Sequence, residues 1–191
     1  NMSEKQAIGY KIFLGQIQSI PDPKSYLNFL KNDNTKIIFL TRNNIFLKYI
    51  SKITADSINN YGCSTKNFSS LIYKLNPVKI NYEDYIKYKK EVISNIETQL
   101  EYIHFYEFPF IHIKYEEFTG EKYLESYKNI FNFLNLDFNE FNDIRINSIL
   151  TGKLKKINVY KLKDKIINFD ILRRDAELHN DVELLSILEN E

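Results

Sequence analysis

A single cysteine, Cys63, stands in a chain of 191 residues, which excludes an internal disulfide and any multi-cysteine metal cluster. Histidine is nearly as scarce. His104, His112 and His179 lie far apart, and none belongs to a zinc signature such as HExxH. No apolar run approaches the roughly 18 residues that a membrane span needs. Charge of one sign is lacking too: 26 basic side chains face 25 acidic ones, so the overall balance points to neither nucleic acid nor an anionic membrane. The five glycines, Gly9, Gly15, Gly62, Gly120 and Gly152, are isolated from one another. The one local cluster, NNYGCSTK around Gly62, follows a helical pattern instead of a strand, which is a poor setting for a phosphate loop. The opening NMSEKQ lacks an apolar stretch after a basic start, so no secretory signal is read and a cytoplasmic location is expected. Asn1 ahead of Met2 reads as an added residue.

What is present is apolar and aromatic. At 43% hydrophobic, with 14 Tyr and 14 Phe, the chain can build a sizeable core, and its length suits one domain. Residues 7–17, AIGYKIFLGQI, read as a short strand. Residues 23–30 read as a helix with Tyr26, Leu27 and Leu30 inward, stopped by Asn32, Asp33 and Asn34. Residues 36–40, KIIFL, form the continuous apolar run of a buried parallel strand. A polar TRNN follows, then a helix with Phe46, Tyr49, Ile50 and Ile53 on one face and Asn43 or Asn44 as cap. Periodicity fades over residues 56–81, read as a variable loop or insertion. A long helix starts near Asn81 and carries Tyr82, Tyr85, Ile86, Val92, Ile93, Ile96, Leu100 and Ile103 at helical spacing. Residues 110–115, FIHIKY, suit a second parallel strand. Tyr123, Tyr127, Ile130, Phe131 and Leu134 mark another helix, and residues 171–191 a polar helical tail. Strands alternating with helices indicate an α/β fold.

Arg42 is the sharpest candidate for chemistry. It follows a strand directly, where open α/β sheets bind ligands, and a guanidinium grips phosphate in a bidentate fashion. Ser51, nine residues on, can add a hydroxyl, Asn43 and Asn44 loop donors, and Lys48 charge. The plain alternative is a surface arginine and an ordinary helix serine. His104 and His112 are bases by type, but they lie in an apolar run and in a strand, so no catalytic base is assigned.

Residues 36–51, KIIFLTRNNIFLKYIS, resemble the 3′-phosphate-binding segment of sulfotransferases, closest to the bacterial and cyanobacterial branch. There a strand ends in Leu-x-Arg and a Ser follows nine residues after the Arg. GYKIFLGQI resembles the family's Gly-Phe-Lys strand. FIHIKYEEFTGEKYLESYKNIFNFLNLD, residues 110–137, is similar to its late strand–turn–helix module, and LKKINVYKLKDKIINFDIL, residues 154–172, to a tail segment with an Asn-Phe/Tyr-Asp/Glu signature. The resemblance implies a truncated three-layer parallel sheet flanked by helices, like P-loop nucleotide hydrolases, as a single domain over residues 1–191. It also implies that Arg42 and Ser51 bind the 3′-phosphate of 3′-phosphoadenosine 5′-phosphosulfate (PAPS), with a carbohydrate or small hydroxyl compound as acceptor. By the same resemblance, a basic tail at Lys153, Lys155, Lys156, Lys161 and Lys163 closes over the nucleotide, with a solvated face as its alternative. The resemblance also implies that Glu116 and Glu117 organise neighbouring loops rather than act as the catalytic base.

One part of the pattern has no counterpart here. The strand, 5′-phosphosulfate loop and helix that open such a domain belong before Gly9, where only eight residues stand. The domain is therefore read as N-terminally incomplete. Two expectations follow: a sulfotransferase whose sulfur-handling half is supplied elsewhere, or a noncatalytic module whose open sheet edge is covered by a second copy or another chain.

Overall fold

The computed structural model describes residues 8–12, 14–57, 77–119, 123–138 and 161–189. The chain is a mixed α/β protein with a small parallel two-stranded sheet and several flanking helices. It divides into two compact units. Unit 1 comprises Asn1–Asn43 and Ile93–Thr151, and unit 2 comprises Asn44–Val92 and Gly152–Glu191.

Unit 1 opens with a short helix α1 (Leu14–Gln18), where the sequence suggested a strand, and residues 8–12 form no strand either. An apolar run becomes a strand only where a ladder partner exists. The segment is instead tied to α2 (Pro23–Asn32) by the phenols of Tyr10 and Tyr26, 3.0 Å apart. Burial and that bond push the Tyr10 hydroxyl up to about 12. Asp22 caps α2 by accepting from the Ser25 amide, with Pro23 as the first helical residue.

Strand β1 (Ile37–Thr41) pairs in parallel with β2 (Phe110–Lys114), Ile37 opposite Phe110 and Thr41 opposite Lys114. Phe39 packs into a core with Leu27, Leu30, Ile103 and Phe108. On the opposite face Ile113 is buried, but Ile38 and Leu40 are 41% and 52% exposed. KIIFL is thus a parallel strand buried on one face only, because nothing among the described residues covers β1 on the other. After β2 come α5 (Tyr115–Thr119) and α6 (Tyr123–Leu134), and α6 lies against β2. The Lys36 ammonium reaches the Phe133 carbonyl at 2.6 Å, near the carboxyl end of α6, where a cation is favoured.

Unit 2 holds α3 (Ile45–Ser57), capped by the Asn44 side chain on the Leu47 amide. The expected face of α3 is the buried one: Phe46, Tyr49 and Ile50 enter the core and Ile53 packs against it. Helix α4 (Tyr82–Phe105) starts at Asn81, whose side chain accepts from the Asp84 amide. Its residues 82–92 belong to unit 2 and 93–105 to unit 1. Of the span read as a variable loop, residues 58–76 lie outside the described residues. Its end is core, with Val78 and Ile80 buried.

The tail, expected to be helical from residue 171, consists of α7 (Leu162–Lys165), α8 (Phe169–Leu178) and α9 (Val182–Glu189). Val78 bridges Ile166, and Asn168 extends that pairing with its side chain. Its amide nitrogen donates to the Ile80 carbonyl at 2.7 Å, and its oxygen accepts from the Ile80 amide at 2.9 Å. The Asn-Phe-Asp signature therefore has a structural role here.

The abundance of asparagine also acquires a use. Asn34, Asn135 and Asn180 adopt left-handed φ values of 53°, 61° and 51° just past α2, α6 and α8. Each is followed by an amide that bonds back five residues: Thr35 to Leu30, Leu136 to Phe131 and Asp181 to Ala176. This is the helix-ending turn in which asparagine is the best substitute for glycine. Glu107 ends α4 in the same way at φ 52°, with its carboxylate paired to Lys31 at 2.8 Å.

Candidate functional site

The carboxyl end of the two-stranded sheet gathers the chemically capable side chains of unit 1. Thr41 closes β1, and Arg42 and Asn43 follow it. His112 and Lys114 lie on β2, and Tyr115 and Glu116 open α5. Parallel pairing brings both carboxyl ends to one edge, so residues about seventy apart in sequence become neighbours.

Arg42 is half-buried. Its guanidinium carbon lies 5.0 Å from the centre of the Tyr115 ring, a cation–π contact worth about 0.5–2 kcal/mol depending on desolvation. Its Nε is buried without a hydrogen-bond partner. Among the described residues Arg42 forms no ion pair, although Glu116 is close at hand. That carboxylate is engaged with the loop: Glu116 Oε2 accepts from the Asn43 amide at 3.1 Å. The organising role expected of the acidic pair is thus visible at Glu116. It also means that one backbone donor beside Arg42 is already in use.

His112 and Thr41 form a second pair, with Nε2 and Oγ1 2.7 Å apart, and the imidazole leans on Phe39 at 5.1 Å. Lys114, opposite Thr41 in the ladder, adds an exposed cation at the same edge. His104 sits edge-on to Phe110 at 5.3 Å.

Arg42 belongs to unit 1 and Ser51 to unit 2. The Ser51 hydroxyl donates to the Leu47 carbonyl at 2.9 Å, one turn back along α3. To donate to a phosphate it must first release that bond, at a cost of about 1 kcal/mol. Lys161 and Lys163 are exposed at the start of α7. Lys153, Lys155 and Lys156 lie outside the described residues.

The contributions of Thr41 and Tyr115 were missed in the sequence. The only available signal was the alternation of FIHIKY, which fixes the faces of β2 but not the register that sets it against β1. No protein-family model matches the chain, and no curated protein or solved structure matches it significantly. Among the described residues no His, Cys, Asp and Glu side chains group as a metal site, and no helix is long and apolar enough to cross a membrane.

Proposed function

We propose that the sheet edge of unit 1 is an anion site in which Arg42 grips a nucleotide phosphate, and that the protein is sulfotransferase-like. The carrying observation is the Arg42 guanidinium. It stands at the carboxyl end of a parallel strand, over the Tyr115 ring, with a buried Nε–H that lacks a partner and, among the described residues, no ion pair. An unmade bond of this kind costs about 1–3 kcal/mol, and a phosphate oxygen would satisfy it. Arg42 supplies positive charge for the phosphate at this edge.

By the resemblance of residues 36–51, the anion is the 3′-phosphate of PAPS, with Arg42 and Ser51 as binding residues. The finer architecture is a truncated three-layer, P-loop-like sheet. Bound PAPS would supply the sulfuryl group, passing it to a hydroxyl of a carbohydrate or small molecule. Arg42 would bind and orient, and would not touch the transferred group. The direct test is calorimetry with adenosine 3′,5′-bisphosphate and adenosine 5′-monophosphate. The bisphosphate should bind about tenfold more tightly or better, since a charge-assisted contact is worth about 1.5–3 kcal/mol. No binding at millimolar nucleotide by a folded sample refutes the reading.

A second reading is favoured by the exposed pair Ile38 and Leu40 on β1: a noncatalytic module that another chain, or a second copy, covers at that face. Loss of self-association or of partner capture on Leu40→Lys, with no nucleotide binding by the parent chain, is its signature.

A further inference from the structure

The parallel register carries on one step past the ladder. Thr41 lies opposite Lys114, so the residues that follow them, Arg42 and Tyr115, come level with each other. Their contact is the result: the Arg42 guanidinium carbon is 5.0 Å from the centre of the Tyr115 ring. Among the described residues Arg42 makes no hydrogen bond or ion pair beside it. The Tyr115 hydroxyl makes no hydrogen bond among the described residues either, and the side chain is 39% exposed. The ring face, and not the oxygen, is therefore what Arg42 uses.

The chemistry of that partner matters. A long side chain left unheld at a strand end samples many rotamers, and an anion that takes it must first order it. A carboxylate could hold Arg42 in place, but it would also cancel the charge and occupy the N–H donors. Glu116, the next residue along, is engaged elsewhere, since its Oε2 accepts from the Asn43 amide at 3.1 Å. An aromatic ring attracts a guanidinium through its quadrupole and carries no charge of its own. Arg42 is held, yet its charge and its planar fork of donors stay available to another group.

We propose that Tyr115 is the positioning residue of this edge: its ring orders Arg42 in advance for an anion without neutralising it. The proposal rests on the reading of Arg42 as a phosphate-binding residue. It adds a requirement at a second position, for an aromatic face and for no hydroxyl. Phenylalanine meets that requirement and leucine, of comparable apolar character, does not.

The test is calorimetry of the whole chain with adenosine 3′,5′-bisphosphate, on the parent, Tyr115→Phe and Tyr115→Leu, and on Tyr115→Leu combined with Arg42→Ala. Thermal unfolding of each variant checks that it is folded. Tyr115→Phe should bind within about twofold of the parent, and Tyr115→Leu about three- to tenfold more weakly. With Arg42 already replaced by Ala, the leucine change should cost no more than about twofold. Parent binding with no loss in Tyr115→Leu overturns the positioning role and leaves the phosphate reading standing. An equal loss in the Arg42→Ala background overturns it too, since the ring would then act on the fold or on the nucleotide directly. A loss in Tyr115→Phe as large as in Tyr115→Leu gives the role to the hydroxyl and overturns it. No binding by the parent removes the phosphate reading and this proposal with it. A further measurement needs no variant: in the nucleotide-free parent the Arg42 Nε–H signal in NMR should be displaced from its random-coil position by the Tyr115 ring current. A random-coil position overturns the proposal.

Discussion

Replacing Tyr85 by phenylalanine removes one oxygen from the centre of unit 2. The Tyr85 side chain is fully buried, its ring edge-on to Phe46 at 5.2 Å and tilted to Tyr49 at 5.7 Å. Its hydroxyl has no hydrogen-bond partner. Leaving such a group unpaired costs about 1–3 kcal/mol, and the substitution keeps the ring while removing that cost. Against this stands a void the size of one oxygen, worth a few tenths of a kcal/mol. A net stabilisation of about 1–2 kcal/mol is expected, which raises Tm by about 2–8 °C for a chain of this size.

The effect should grow with pH. Burial, with the charges of Asp181 and Glu183 adding to it, pushes the Tyr85 phenol well above its ordinary value. The unfolded chain releases this proton near pH 10, while the folded chain keeps it. The stability tied to the proton is therefore complete below about pH 10. It is lost as pH rises toward the folded value, by up to about 1.4 kcal/mol per pH unit. The variant has no such proton, so its advantage widens above pH 10. Urea titrations of both proteins at pH 7, 10 and 11 measure this. A destabilised variant at pH 7 would mean that the hydroxyl has a partner, and the reasoning from an unpaired buried oxygen would fail.

Asn168→Ala should destabilise by about 2–4 kcal/mol, because it strands both the amide and the carbonyl of the buried Ile80; a urea midpoint unchanged within error would rule out that clamp. Glu107→Gly relieves a left-handed backbone at the end of α4 and loses only an exposed ion pair, so Tm should rise by about 2–4 °C, and a fall would show that the Lys31 pair matters more. Hydrogen bonds from the Ser25 hydroxyl and amide hold the Asp22 carboxyl below the usual range. The cap is therefore complete above the unfolded value of about 3.9 and is lost as pH falls through the folded one, so the Ser25 amide resonance should titrate with a midpoint below 3.9; a midpoint at or above it contradicts the cap.

Signals that are local survived translation into three dimensions. Pro23, with Asp22 before it, starts α2, and the Phe46–Tyr49–Ile50–Ile53 stripe is the inner face of α3. Asn81 and Asn44 cap as their positions suggested. Signals that depend on a distant partner did not. The apolar run at residues 7–17 looked like a strand, but strand identity needs a ladder. KIIFL is buried on one face because coverage of the other is decided by the rest of the chain. The break at Asn180 was audible in the sequence as His-Asn-Asp, yet the helical pattern on either side masked it. Asp181 then caps α9 through the Leu184 amide. Arg42 could be located at a strand end from sequence alone. Its platform Tyr115, and the Glu116 hold on Asn43, depend on the parallel register and could not.

The buried Arg42 Nε–H has no hydrogen-bond partner, and the proposed phosphate would supply one. The most direct measurement is a cycle of calorimetric titrations, the parent chain and Arg42→Ala each against adenosine 3′,5′-bisphosphate and adenosine 5′-monophosphate. Arg42→Ala should weaken binding of the bisphosphate by about 1–3 kcal/mol, some five- to 150-fold, and leave the monophosphate nearly unchanged. Equal losses for both nucleotides, or no loss for either, would contradict it.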